Sequence, residues 1–473
     1  MPTSLNKVER AMVWGFAIWS FSTAWDVRYR QMEVVPFRGI RYNEILVGDL
    51  ANVVCRPYDV ISPEQQRLYC NKSDYNAVRL EFPEPTTDKY QRAAMVFQQW
   101  LKQGILKCDS AVGFYLHEHE FKYSDRNMLR RGLIARVMLE RWGSGIFPHE
   151  ETSSKAKSDR LQLMRACRAS FSPLLSLYQD SEREIAAILH RVARERPLVS
   201  LRAERSNLPD PDEAHRVWTV TDPEMRRELS EFLSAQPIYI ADGHHRYETA
   251  LIYQEERTQG KSRGGRAAFN YVMMELVEFS DPGLIVLPLH RLVRGIASST
   301  LTQLEKRLSR FFTLDSVSFG DDCLARSQRE PLSLSVIASE AKQSREGQSI
   351  VLGILGLHTG ALTLLRQRQD VSLEAMMPAN RSQAYREFGV SILNHIVLET
   401  VLSEDQDVEV AYTVDLEEAR RQIREGKFQL AFLLHPAGPD VVKAIADAQD
   451  RMPGKSTYFY PKVPAGLVIN PLE

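Results

Sequence analysis

The stretch IADGHHRYETA, residues 240–250, restricts the fold of this chain more than any other. An apolar run at 237–241 reads as a short buried strand, Asp242-Gly243 as a turn, and the residues through about Glu256 as a helix. Gly243 frees the backbone for a tight turn. The first N–H groups of the following helix point back into that turn, and a helix amino terminus attracts anions, phosphate above all. Arg246 can add a bidentate phosphate contact. His244 and His245 add donors that titrate near neutral pH. Three roles are open to Asp242: capping the helix, holding Mg2+ or accepting a proton. Asp-Gly alone is an ordinary turn. Two histidines and an arginine directly after a buried strand shift the reading toward an oxyanion seat.

Around this unit, short β-branched or aromatic runs alternate with helical stripes. Strands are predicted over 77–82, 111–121, 268–277, 349–357, 361–366 and 430–434. Helices are predicted over 88–102, 130–142, 158–169, 181–195, 224–235, 301–311, 390–402, 416–425 and 439–447. No fixed repeat runs through them, so the class is α+β, with mixed sheets and helices. The 473 residues suffice for two or three domains. The expected organisation is an extension at 1–31, an α+β region at 32–150, a central region at 151–295 and a carboxy-terminal α+β region at 296–473. Residues 336–349, rich in Ser, Lys, Gln and Glu, interrupt the last region as a solvated insertion.

Sixty basic against sixty-one acidic residues leave a formal net charge of -1. That argues against a protein that holds nucleic acid by bulk electrostatics. The five cysteines, Cys55, Cys70, Cys108, Cys167 and Cys323, form no CxxC pair and read as free thiols in a reducing compartment. Residues 11–25 are mostly apolar and follow Lys7 and Arg10, like a signal-peptide core. The run is shorter than the roughly 20 apolar residues of a membrane helix. Met32 opens MEVVPFRGIRYN, the start expected of a cytoplasmic soluble domain, so no membrane association is expected.

Four further constellations carry chemistry. PHEET, residues 148–152, sets His149, Glu150 and Glu151 ahead of Asp159 and Arg160. It reads equally as an acid/base or Mg2+ loop and as a solvated helix entrance. RPYDVIS, residues 56–62, offers Asp59 in a Pro-bounded turn, and SDPGLIVLPLHRL, residues 280–292, ends a strand on His290 and Arg291. HEHEF, residues 117–121, puts His117 and His119 on one strand face. Without a third ligand at clear spacing, a surface strand is the favoured reading over a zinc site. MPGKSTYFYPK, residues 452–462, contains GKST but has Gln449 where a phosphate-binding loop needs its first glycine. Lys455 and Lys462 can still lend positive charge to an anionic pocket.

The strand–DGHHR–helix unit resembles the phosphate-binding motif of the ParB/sulfiredoxin-like superfamily. The free-serine kinases of that group carry an Asp-Gly-His-x-Arg string, which maps onto Asp242, Gly243, His244 and Arg246. Sulfiredoxin has its catalytic cysteine where this chain has His244, so the resemblance does not carry sulfinic-acid reduction. The strings VVPFRGIRYN, RPYDVIS, PHEET, ADGHHRYETA, SDPGLIVLPLHRLV and MPGKSTYFYPK resemble the family named domain of unknown function 1015, over nearly all of residues 32–473. That family implies no established reaction.

Together these readings imply a ParB/sulfiredoxin-like core and a nucleotide-dependent small-molecule kinase. It would pass phosphate from ATP or ADP, with Mg2+, to a hydroxyl metabolite, free serine by resemblance. Gly243, Arg246, Lys455 and Arg160 are the phosphate-binding candidates. Asp242, His244, His245, Glu150 and Glu151 are the catalytic ones. Asp59, His149, His290 and Arg291 face the substrate. The alternatives are a phosphate-ester or nucleotide hydrolase, a metal enzyme ligated by His149, His244, His245 and His290, and a non-catalytic nucleotide-binding module.

Overall fold

Two large sheets dominate the computed structural model, which describes residues 32–123, 126–152, 154–203, 213–258, 265–318, 350–405 and 407–473. The extension at 1–31, Cys323 and the insertion at 336–349 lie outside the described residues. The larger sheet has nine strands: β1 (Val34–Val35), β2 (Phe114–Tyr123), β3 (Arg126–Met138), β4 (Ile146–Phe147), β5 (Leu174–Tyr178), β6 (Val199–Ala203), β7 (Glu213–Val220), β8 (Ile238–Asp242) and β9 (Tyr271–Glu278). Their spatial order is β4-β8-β5-β9-β3-β2-β7-β6, and β1 pairs with β3. The β4–β8 and β5–β9 pairs are parallel and the others antiparallel. Strands from both sides of residue 150 therefore share one sheet.

The second sheet is antiparallel throughout. It comprises β10 (His290–Arg294), β11 (Phe312–Ser318), β12 (Ile350–Leu355), β13 (Ala361–Gln367), β14 (Glu409–Thr413) and β15 (Leu430–Leu433), in the order β11-β13-β12-β15-β10-β14. The chain is α+β.

Period-two patterning decides what each face of β8 buries. Ile238 and Ile240 enter one core with Tyr247 and Ala250. Tyr239 and Ala241 enter another that continues through Leu352, Ile354 and Phe432 of the second sheet. The helices cover these faces. Five matter here: α1 (Lys89–Lys102), α2 (Ser154–Cys167), α3 (Glu184–Val192), α4 (Pro223–Ser234) and α5 (His244–Thr258). In α1, Ala93, Phe97 and Trp100 form the buried stripe. In α4, Asp222 caps the amides of Glu224 and Met225, and Pro223 takes the first turn. No helix among the described residues is long and apolar enough to cross a membrane.

Two expected elements change type. Residues 77–82 do not form a strand: Asn76, just ahead of them, accepts from the Val78 amide at 2.9 Å, and a short helix runs over Val78–Glu81. Residues 130–142 do not form a helix. Most of them belong to β3, which hydrogen-bonds β2 on one edge and β9 on the other. Its Leu133, Ala135 and Val137 face one core and Ile134 another. A strand buried on both faces loses its alternation, and its apolar run then imitates a helix.

Candidate functional site

The expected turn exists. β8 ends at Asp242, Gly243 adopts a φ of +96°, and α5 starts at His244. A side chain on Gly243 would come within 3.0 Å of Leu174 Cγ and Arg246 Nη2. Arg246 is buried and turned inward. Its Nη1 donates to Ser172 Oγ at 2.9 Å and Pro173 O at 2.8 Å, and its Nη2 to Asp242 Oδ2 at 3.1 Å. Lys462 Nζ donates to the other oxygen of Asp242. Burial opposes a charge on Asp242, but Lys462 and then Arg246 overcome it and hold the carboxyl well below its usual range. Asp242 is thus an ionised organiser of the turn rather than a free proton acceptor.

PHEET packs against this corner. His149 Nδ1 donates to Ile240 O at 2.7 Å, and its Nε2 accepts from Thr457 Oγ1 at 2.9 Å. Its amide donates to His244 Nε2 at 3.2 Å. Burial lowers the His149 ring to about 4 and pushes His244 well below the usual histidine range. Both rings are neutral. His149 therefore positions the strand and the tail, and His244 has one donor, at Nδ1, to offer a ligand. His245 is half-buried and its basicity is lowered by burial and by Lys455.

Glu150 differs from both. Its Oε1 accepts from the Lys455 amide, and burial raises its carboxyl to about 7 against the pull of Lys455 and Lys462. The tail that supplies those lysines is fixed by Met452, whose amide donates to His149 O at 2.7 Å. Residues 148–150, 240–246 and 452–462 thereby meet in one corner. Asp59, exposed, is close enough for its charge to act on Arg246, Lys462 and His245. Arg291 is buried, lies 5.0 Å from the Tyr412 ring, and feels the charge of Glu150.

Other candidates sit elsewhere. Glu151 pairs with Arg381 at 3.3 Å on the surface. His290 is in β10, where its Nδ1 accepts from the Leu434 amide at 3.2 Å. Arg160 is buried against Asp159, Glu81 O at 2.6 Å and the Tyr58 ring at 3.9 Å. It still borders the site from behind: Arg160, Arg246, Ser172 and Glu81 line one small cavity. Glu81 was not singled out by its sequence. It is buried, accepts from Ser172 Oγ at 3.0 Å, and burial raises its carboxyl despite Arg160 and Arg246. Its segment reads as a strand, where a glutamate at that place looks like a solvated alternate residue. Among the described residues neither the set His149, His244, His245 and His290 nor any three of them converge as metal ligands, and His290 belongs to the other sheet.

Residues 34–394 match the model of a family described as Protein of unknown function (DUF1015). No curated protein matches the chain. Among solved structures, a conserved hypothetical protein from Pyrococcus furiosus aligns at 12% identity and a TM-score of 0.32, over 71% of this chain and 93% of its own. A mutant free serine kinase in complex with ADP aligns at 12% identity and a TM-score of 0.31, over 69% and 87%. SbnI from Staphylococcus aureus, truncated at its carboxy terminus, aligns at 11% identity and a TM-score of 0.32, over 72% and 87%. Superpositions this loose carry no argument about the chemistry of this chain.

Proposed function

This chain belongs to the DUF1015 family, whose description names no reaction, and from the site itself we propose a nucleotide-dependent small-molecule kinase. It transfers phosphate from ATP or ADP to a hydroxyl metabolite, free serine being the first acceptor to try. One observation carries the reading: three segments far apart in sequence bring a helix start, two lysines and a carboxyl near pH 7 to a single corner. Phosphoryl transfer needs little else from a protein beyond position and charge.

The amides at the start of α5 and the Lys455 ammonium cradle phosphate oxygens. His244 Nδ1 and His245 add neutral donors. Arg246 and Lys462 act mainly through Asp242: they hold the turn in shape and lend positive potential. Glu150, half ionised near neutral pH, takes the proton from the acceptor hydroxyl. Both oxygens of Asp242 are engaged, so the carboxylate that fits Mg2+ is Asp59, completed by phosphate oxygens and water. When bound, that ion supplies charge neutralisation on the transferred group.

The test is consumption of ATP and of ADP, with and without serine and a panel of hydroxyl metabolites, read by mass spectrometry for phosphorylated product. The expected result is acceptor-dependent consumption that Arg246→Ala abolishes. Consumption independent of any acceptor replaces the kinase by a hydrolase. Intact activity in Arg246→Ala removes the turn from the mechanism.

A further inference from the structure

His117 and His119 do not lie on a surface strand. β7 runs beside β2 in a register that pairs His119 with His215, and Glu213 shares the face of His215 two residues away. The three rings are buried. Glu213 Oε2 lies 2.8 Å from His119 Nε2 and 3.6 Å from His215 Nε2. Among the described residues, His119, Glu213 and His215 are the only group of three or more His, Cys, Asp or Glu that can direct ligand atoms at one point.

The proton order follows from the buried end. Glu275, fully buried on β9, offers acceptors, so His117 Nδ1 donates to it across 3.0 Å. His117 Nε2 then accepts from His215 Nδ1 at 3.0 Å. His215 Nε2 is left as a lone pair aimed at a carboxylate oxygen. Two acceptors facing each other repel unless a cation, a metal ion or a proton, lies between them. The relay also has a made space. Gly132 pairs with His117 on the intervening strand β3, and a Cβ there would lie 2.4 Å from Glu275 Cγ.

We propose that His119, Glu213 and His215 form a two-histidine, one-carboxylate site for a divalent transition metal ion, with His117 and Glu275 orienting His215 from behind. Bonds of about 2.0–2.1 Å at near-tetrahedral angles separate ligand atoms by about 3.3 Å. The separations of 2.8 and 3.6 Å bracket that value. Arg130 Nη2 lies 3.3 Å from His119 Nδ1. Ligation at Nε2 moves the ring proton to Nδ1 and requires Arg130 Nη2 to leave it, while the Nη1 bond to Pro461 O at 2.8 Å is independent of that change. Three protein ligands leave a position open. Glu213 and His215 also line a small groove together with Arg56, Lys72, Tyr458 and Lys462. With basic walls, that open position suits an anionic oxygen. None of the ligands belongs to the 242–246 turn, so the metal site stands or falls apart from the kinase reading.

The full chain, stripped with EDTA, is titrated with Zn2+ by calorimetry and with Co2+ by absorbance. The expected result is one Zn2+ per chain and the visible bands of four- or five-coordinate cobalt. His215→Ala and Glu213→Gln each lower Zn2+ affinity by about 100-fold, and Glu275→Gln by about 10-fold. His358→Ala, on an exposed histidine paired with Glu305, leaves the affinity unchanged. The proposal is overturned if the unaltered chain takes up no stoichiometric Zn2+, or if His215→Ala and Glu213→Gln bind it as tightly as the unaltered chain. Should either variant fail to fold, the cobalt spectrum of the unaltered chain decides: bands of the hexa-aqua ion alone overturn the proposal.

Discussion

Glu150 and Asp242 lie in one corner and are pushed in opposite directions by their surroundings. Burial lifts Glu150 to about 7, whereas Lys462 and Arg246 overcome burial at Asp242. A base must be ionised to take a proton, so acceptor-dependent turnover should rise with pH and level off above about 7. Glu150→Gln should remove that inflection and slow turnover by about 10²–10⁴-fold, as a pH–rate profile would show. Stability should move the other way. The folded state holds the Glu150 proton more tightly than the unfolded chain, whose value is 4.5. Stability is therefore lost as pH rises from about 4.5 to about 7. At pH 8, Glu150→Gln should be the more stable protein, by about 1–2 kcal/mol because the side chain keeps some solvent. For Asp242, removing its partner is the informative change. Lys462→Met leaves a carboxylate short of its main counter-charge and should cost about 3 kcal/mol in denaturant melts. The pair Lys462→Met with Asp242→Asn should recover most of that loss.

At the scale of elements, the tight corner rests on Gly243. Its φ of +96° strains any other residue, and Leu174 and Arg246 fill the space where a Cβ would go. Gly243→Ala should lower stability by about 1–3 kcal/mol and weaken nucleotide binding more than Lys455→Ala does, measured by thermal shift with and without ADP. This unit was legible in the sequence because its signals are local: an apolar strand, a glycine, then helical spacing. Elements with local caps were legible for the same reason, such as α4 with Asp222 and Pro223. β3 was not. What makes it a strand is its pair of neighbours, β2 and β9, and neither can be inferred from RRGLIARVM alone. HEHEF was legible as a strand but not as a buried one. Its pairing strand β7 comes nearly a hundred residues later and carries the partner histidine.

At the scale of the molecule, the candidate site depends on contacts that sequence spacing does not encode. Glu150 meets the Lys455 amide across some three hundred residues, and Lys462 reaches Asp242 across more than two hundred. Each segment was a candidate by its own motif, but only the folded tail brings them together. That tail is also part of the cores. Met452, Phe459 and Val463 enter the core shared by the two sheets. Leu467, Val468 and Ile469 enter the amino-terminal core beside Trp100, and Leu472 packs with Leu161 and Tyr253. Its backbone adds pairings of Tyr458–Tyr460 with Ile285–Leu287 and of Asn470–Pro471 with Ala169–Ser170. Arg136 donates to Asn470 Oδ1 at 2.8 Å, and Arg130 to Pro461 O at 2.8 Å. One stretch of chain thus closes three separate cores, and each large apolar side chain lost from a core costs about 2–5 kcal/mol. Deleting residues 452–473 removes seven such side chains, against a total stability of about 5–15 kcal/mol. The truncated chain should therefore lose cooperative unfolding and bind a hydrophobic dye, with near-ultraviolet dichroism abolished. Deleting Glu473 alone removes only exposed pairs with Arg168 and Arg257 and should change stability by less than about 1 kcal/mol. If the 452–473 deletion melts cooperatively near the temperature of the full chain, the tail is an appendage, and the corner at Gly243 must be complete without Lys455 and Lys462.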